Sequence, residues 1–332
     1  MEKIKGLKAL VTGGNGFTGS HLVRRLRKGG ASVRLLARDP SKCGDYRGIG
    51  VEVAGGDIRD PAAVDRAVEG MEVVFHLAAA YRTAGLPDSD YRDIHVTGTE
   101  NVLASSHRHG VRRVVHCSTV GVHGHIEAPP ACEDSPFYPG DIYQVTKLEG
   151  ERKAAAFGRE SGLPVTILRP CAIYGPGDMR LLKLFRIASR RIKWILGDGR
   201  VFYHMVYVDD LCEAFLLAAT RENVAGETFI IGGPEVLSLD QLVELIADEL
   251  GAPGRTVHLP AAPFQILATF CERICAPLKI SPPIYRRRID FFTKSRSFDI
   301  RRATALLGYD PAVGIRKGIH LTAKWYREKE LL

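Results

Sequence analysis

Short apolar runs recur along the first half of the chain, at 8–11, 32–36, 51–54, 73–77, 114–118 and 165–169, and read as buried strands. Between them apolar residues return at helical spacing, as at Leu22, Val23 and Leu26, and predict helices over 20–28, 62–68, 90–108 and 142–161. This alternation predicts an α/β fold, a doubly wound parallel sheet with helices on both faces. Ligands of such sheets collect beyond the carboxyl ends of the strands.

The rhythm breaks after about residue 175. Segments 181–195, 209–221 and 238–250 read as helices, and 206–208, 227–231 and 256–259 as short strands, with Pro and Gly frequent between them. The expected organisation is a core over 1–175, with further core elements from about 200–235, and a smaller, discontinuous C-terminal substrate-binding lobe within 176–332. In 261–284, Phe264, Leu267, Ala268, Cys271, Ile274, Cys275 and Leu278 keep helical spacing up to Pro282-Pro283. The segment reads as a helix on the outer lobe. The alternative is an apolar lid, or a peripheral membrane contact through 261–288, where Arg286–Arg288 follow it.

Composition narrows this picture slightly. The chain has 332 residues, 45% of them hydrophobic, which is enough for a sizeable core. Its net charge of +8 is spread out and not interleaved with aromatics, so nucleic acid is not an expected partner. The surplus suits phosphorylated ligands or anionic lipid. Seven cysteines show no C-x-x-C pair, and no histidine near Cys271 and Cys275 completes a metal set, so no metal is expected. A reducing cytoplasm is the simplest compartment. The chain enters a strand almost at once, leaving no room for a signal peptide, and no apolar stretch approaches ~18–20 residues.

Two motifs carry candidate chemistry. Gly13, Gly16 and Gly19 lie between an apolar run and a helical pattern, spaced G-x-x-G-x-x-G. Gly13 can turn with positive φ, Gly16 lets a pyrophosphate approach, and Gly19 lets helix and strand pack closely. The N–H groups at the helix start then face the diphosphate, which points to dinucleotide binding. Tyr143 and Lys147 stand one helical turn apart on one face. An ammonium near a phenol favours the phenolate and lowers its pKa from about 10, as a proton donor and acceptor at a carbonyl needs. Ser118-Thr119, at the end of an apolar run, supply hydroxyls for the substrate oxygen.

With these features in order, the chain resembles the extended short-chain dehydrogenases/reductases from about residue 8 to about residue 328. Further supports are Gly56-Asp57-Ile58, His76-Leu77-Ala78-Ala79, Gly98-Thr99-Glu100-Asn101, Arg169-Pro170, Tyr174-Gly175-Pro176 and Val206-Tyr207-Val208-Asp209-Asp210. The resemblance implies a Rossmann core, with Tyr143 as general acid/base. Lys147 would hold the nicotinamide ribose, and Thr119 would be the substrate-binding hydroxyl with Ser118 beside it. It places Gly13, Asn15, Gly16, Phe17 and Gly19 along the diphosphate and Asp57 and Ile58 at the adenine. Leu77, Ala78 and Ala79 would line the cofactor path, Ser118 would adjoin it, and Pro170 and Ile173 would pass under the nicotinamide. Tyr81, His123, Tyr174 and Tyr203 are further candidates for substrate contact. The resemblance also implies a homodimer through the helices 90–108 and 142–161.

Departures from the family pattern bear on specificity. The second strand ends in Ala37 where NAD-preferring members carry an acid, and Arg38 follows. An Arg there can bind a 2′-phosphate, so NADP(H) is favoured over NAD(H), although Asp39 could still serve the ribose diol. Val120-Gly121 follow Thr119 where 4,6-dehydratases carry Asp-Glu, which disfavours elimination. Nucleotide-sugar epimerases commonly carry an Arg where Tyr203 stands, although Arg180, Lys183 or Arg190 could substitute. The segment 291–299 resembles the 3β-hydroxysteroid and sterol-4-carboxylate dehydrogenase branch. The expected reaction is oxidation or reduction of a secondary alcohol or ketone on a sterol-like or other apolar ring compound. The alternative is epimerisation of a nucleotide sugar with tightly bound NAD. His95 stands where relatives often carry Asn.

Overall fold

Strands β1 (Lys8–Thr12), β2 (Ser32–Ala37), β3 (Glu52–Gly55), β4 (Val73–His76), β5 (Arg113–Cys117) and β6 (Val165–Pro170) form where the apolar runs predict them. The chain is described here by a computed structural model covering residues 4–81, 85–275 and 286–332. Beyond β6 follow β7 (Ala172–Tyr174), β8 (Ile192–Leu196), β9 (Phe202–Tyr207), β10 (Thr228–Ile231), β11 (Val236–Ser238) and β12 (Arg255–Leu259). Seven strands make one parallel sheet in the order β10-β6-β5-β4-β1-β2-β3. The chain winds outward in one direction from β1 and in the other from β4. These two strands pair Thr12 with His76 at their carboxyl ends, and the crevice opens there.

Helices cover both faces because the strands between them are apolar on both sides. α1 (Phe17–Lys28) and α8 (Val208–Thr220) bury Leu22, Leu26, Leu211 and Phe215 against one face, and the short α2 (Gly44–Gly48) lies between β2 and β3 in the chain. α3 (Pro61–Val68), α5 (Gly98–Arg108) and α6 (Ile142–Ser161) cover the other, through Val64, Leu103 and Ala154. The helix expected over 90–108 is α4 (Asp88–Arg92), a π turn at Asp93–Thr97 and then α5. A third apolar cluster forms the lobe around Phe185, Leu242 and Tyr326, from α7 (Leu182–Ala188), α9 (Leu239–Leu250) and α12 (Ile315–Glu328).

Two expectations need correction. The helix read over 181–195 stops at Ala188, and 192–196 is strand β8. The alternation of exposed Ile192 and Trp194 with buried Lys193 and Ile195 has a strand's period of two, and parallel pairing to β12 supplies its backbone bonds. The short strand expected at 206–208 is the longer β9, and Val208 already begins α8. The 261–284 segment contains α10 (Ala261–Cys275), which leaves Ile266, Leu267, Phe270 and Ile274 exposed. The rest of that reading, at 276–285 and at the side chains of Arg286–Arg288, lies outside the described residues; α11 (Arg286–Thr293) follows.

Candidate active site

The turn after β1 shows why glycine is needed. Gly13 sits at φ +72, and a Cβ there would lie 2.7 Å from the Ala78 backbone nitrogen. A Cβ on Gly19 would lie 2.3 Å from the Gly13 carbonyl oxygen, so α1 rests directly on the turn. Gly16 caps α1 with no side-chain acceptor, which leaves N–H groups at its start for an anion. The turn opens on a cavity of about 930 Å³ at the carboxyl rim of the sheet. That size and this cradle fit a dinucleotide with room for a substrate.

The cavity is lined by Gly13, Asn15, Gly16, Phe17, Gly19, Arg38, Asp57, Ile58, Leu77, Ala78, Ala79 and Tyr81, and by Ser118, Thr119, Tyr143, Lys147, Pro170, Ile173 and Tyr203. At the end of β2, Arg38 is exposed and has no hydrogen-bond or ion-pair partner among the described residues. Asp39 turns away: its carboxylate accepts from the Ser41 backbone N–H (3.1 Å) and caps the next turn. Asp57 is bound by Arg59, whose hydrogen bonds outweigh burial and hold its carboxyl below the usual range.

At the centre of the rim, Asp141 caps α6 and fixes where Tyr143 and Lys147 emerge. Tyr143 is 9% exposed. Its ring stands edge-on to Tyr81 (5.1 Å between centroids) and to His95 (5.6 Å). Lys147 is buried, and its Nζ donates to the Cys117 carbonyl at the end of β5, 2.6 Å away. Burial lowers its pKa; Cys117 and Glu151 act the other way. Thr119 caps the turn that follows, its Oγ1 accepting from the Gly121 N–H at 3.0 Å, so its own hydroxyl proton remains for a ligand.

Three sequence candidates have other roles in the structure. Ser118 borders the cavity, but its hydroxyl donates inward to Glu151. His123 lies outside the cavity lining and is fully buried, with Nδ1 against the Pro136 carbonyl (3.1 Å) and Nε2 against Arg169 (3.2 Å). Because Arg169 can only donate, Nε2 accepts and Nδ1 carries the proton, which makes His123 a brace. Tyr174 also lies outside the lining; it packs edge-on against Tyr207 and sits so close to α12 that a Cβ on Gly318 would be 2.1 Å from its hydroxyl. The brace centres on the Arg169–Glu151 pair, 5% and 6% exposed, and Arg169 also donates to the Glu133 carbonyl at 2.7 Å. It ties β5, β6 and α6 together beneath Thr119 and Lys147.

A second buried network supports the opposite wall. His76 bridges Thr12 (2.8 Å) and Thr99 (3.0 Å). His95 Nε2 accepts from the Ala80 N–H (3.0 Å), so its Nδ1–H faces Thr146 at 2.8 Å. Thus His95, in the position where relatives often carry Asn, ties α6 to the loop that bears Ala78–Tyr81. Burial, helped by the Lys147 charge, pushes His76 down to about 3 and His95 to about 2, and pushes His116 well below its ordinary range. The unfolded chain takes up these protons below pH ~6.5 while the folded chain refuses them. Stability should therefore be complete above about pH 6.5 and fall as the pH drops toward 3, by up to ~1.4 kcal/mol per pH unit for each histidine. Urea melts at pH 7.5 and pH 5 read this directly, and an unchanged midpoint contradicts it.

The cavity is lined further by Met179, Leu181, Met205, Leu242, Phe291 and Arg296, which sequence reasoning missed, and by Arg180, which it named only as a stand-in cation for a diphosphate. They come from separate loops, from helices α9 and α11 and from strand β9, so no local spacing marks them. Arg180 bonds Asp178 (2.6 Å) and the Ile173 carbonyl (2.7 Å) and lies over the rings of Phe17 and Tyr81.

A dinucleotide cradle at a topological switch point, with a Tyr/Lys pair and a threonine hydroxyl at its rim, defines a nicotinamide-dependent enzyme of the short-chain dehydrogenase type. The profile of the NAD dependent epimerase/dehydratase family matches residues 9–232, and the chain belongs to that family. It is 32% identical over 329 residues to the 2-alkyl-3-oxoalkanoate reductase of Stenotrophomonas maltophilia, covering 94% of this chain and 97% of that one. It is 30% identical to 3beta-hydroxysteroid-dehydrogenase/decarboxylase isoform 2 of Arabidopsis thaliana; the match takes in 94% of this chain and spans 61% of the plant protein's length. Among solved structures, the dTDP-glucose 4,6-dehydratase DesIV of Streptomyces venezuelae, with NAD and TYD bound, superimposes with a TM-score of 0.76 at 28% identity, covering 98% of each chain.

Proposed function

We propose that this protein is an NAD(P)-dependent oxidoreductase that interconverts a secondary alcohol and a ketone on a sterol-like or other apolar ring compound. The carrying observation is one cavity whose lining includes the glycine turn, Thr119, Tyr143 and Lys147, and the apolar side chains Met179, Leu181, Met205, Leu242 and Phe291. A nicotinamide dinucleotide bound there supplies the hydride acceptor or donor. Tyr143 moves the proton at the substrate oxygen, Thr119 donates a hydrogen bond to that oxygen, and Lys147 holds the ribose and favours the phenolate. The reductase and dehydrogenase relatives named above support this direction of chemistry.

Nucleotide-sugar epimerisation is the competing reading. It needs cations for a diphosphate, and Arg180 is already committed to Asp178. The two part on turnover: net change in NAD(P)H absorbance with steroid or other cyclic ketones supports the oxidoreductase. UDP-sugar interconversion with retained cofactor and no net change overturns it.

Arg38, without a hydrogen-bond or ion-pair partner among the described residues, beside a capped Asp39 supports NADP(H) over NAD(H). Arg38→Ala is expected to raise KM for NADPH at least 10-fold while changing KM for NADH less than about 3-fold; equal changes would remove that preference. The homodimer through α5 and α6 rests on the family resemblance, and sedimentation velocity tests it. The cytoplasmic assignment has unpaired cysteines as its support. Peripheral membrane contact through 261–288 has the exposed stripe Ile266, Leu267, Phe270 and Ile274, followed in sequence by Arg286–Arg288, as its support. Flotation with anionic and neutral vesicles tests it, and no binding to anionic vesicles rejects it. No helix among the described residues is long and apolar enough to cross a membrane.

A further inference from the structure

Between β7 and α7 the segment 175–180 connects the sheet's rim to the lobe, and Gly177, Asp178, Met179 and Arg180 line the cavity on the way. It rests on the first turn of α1. The Pro176 carbonyl accepts from His21 Nε2 (2.9 Å), and a Cβ on Gly177, at φ +98, would meet the Phe17 ring at 3.4 Å. The other end is pinned to the lobe: Asp178 is 3% exposed, and its carbonyl accepts from the Tyr326 hydroxyl of α12. Arg180 hangs on this anchor, with Nε donating to the Asp178 carboxylate (2.6 Å) and Nη2 to the Ile173 carbonyl (2.7 Å). So fixed, its guanidinium stands over two rings of the core, 5.5 Å from the centre of Phe17 and 5.3 Å from that of Tyr81. Phe17 follows Gly16 at the diphosphate cradle, and Tyr81 stands edge-on to Tyr143 at 5.1 Å. One cation thus joins the lobe both to the cofactor turn and to the neighbour of the reactive tyrosine.

A guanidinium already locked by a carboxylate and a carbonyl loses little further freedom when it meets aromatic rings. A cation over one partly exposed ring is worth roughly 2–5-fold in an equilibrium constant, so two rings together give about 10-fold. We propose that Arg180 is a positioning residue that acts as a clasp. By holding Phe17 and Tyr81 from the lobe, it keeps the dinucleotide seated and Tyr143 aimed, and it opens each time the cofactor leaves. An oxidoreductase of this kind exchanges its spent dinucleotide at every turnover, so the opening of a closing element enters its rate. This deepens the oxidoreductase reading above and rests on it.

The test follows release of NAD(P)H by its fluorescence in stopped flow, with excess oxidised dinucleotide as the trap, for wild type, Arg180→Ala, Tyr81→Leu and the double variant. Arg180→Ala should speed release about 10-fold in the wild-type background but only about 3-fold in the Tyr81→Leu background, because one of its two rings is already gone. Arg180→Lys keeps a charge beside Asp178 without the planar fork; it should release the cofactor at an intermediate rate, and it guards against misfolding of the alanine variant. Hydride transfer to a cyclic ketone in a single turnover should slow about 3-fold in Arg180→Ala, because Tyr81 no longer braces Tyr143. Unchanged release in Arg180→Ala, or equal acceleration in both backgrounds, overturns the clasp and leaves the oxidoreductase standing. Faster release with undiminished hydride transfer removes the link to Tyr143 and overturns the positioning role. No net change in NAD(P)H with any cyclic ketone, in wild type as in the variants, counts instead against the oxidoreductase itself.

Discussion

Replacing Tyr143 by phenylalanine is expected to lower kcat by about 10²–10⁴-fold, the range for removing a positioned general acid/base. The ring would remain edge-on to Tyr81 and His95, so packing is preserved and only the hydroxyl is lost. Dinucleotide affinity should change by no more than a few-fold, because the glycine turn and Lys147 are untouched. Steady-state kinetics with fluorescence titration of the cofactor separates the two effects. A variant that keeps its kcat removes Tyr143 from the chemistry. A variant that loses cofactor affinity in step with kcat makes it a binding residue instead.

The second large effect is on stability. Glu151→Ala would leave the Arg169 guanidinium buried without its carboxylate, and would also strip the acceptor from the Ser118 hydroxyl. Breaking one side of a buried ion pair typically costs about 3–5 kcal/mol, a large share of a domain's stability. The double replacement Glu151→Met with Arg169→Met should be markedly less destabilised than Glu151→Ala, because no charge is then stranded. Urea unfolding of the three proteins decides this. A loss below about 1 kcal/mol in Glu151→Ala would mean that water or a rearranged partner reaches Arg169. Since Ser118 and Thr119 sit on this brace, the single variant should also lose activity at temperatures where it remains folded.

The parts of the fold legible in the sequence were those with local signals. Six strands of the parallel sheet coincide with short, largely apolar runs, and the glycine turn follows the first of them directly. β8 was hidden because Ile192-Lys193-Trp194-Ile195-Leu196 has too few residues to separate a strand's period from a helix's, and its partner β12 is distant in sequence. Much of the rim could be read for the same local reason: Tyr143 and Lys147 share one helix, and Thr119 follows one strand. His123 and Tyr174 show the limit. Each lies within a few residues of the rim, and whether the side chain faces the cavity depends on packing against Arg169 in one case and α12 in the other. Arg296 was invisible as a site residue because its position is set by a single bridge to β9 across a long stretch of chain.

The central claim is that Tyr143 serves direct hydride exchange between substrate carbon and cofactor. Its most direct test is one turnover of a ketone substrate with cofactor deuterated at nicotinamide C4. Deuterium is expected at the carbinol carbon of the alcohol, with one equivalent of oxidised cofactor released. Deuterium returned to the cofactor, with the substrate isomerised and no net oxidation, would contradict it.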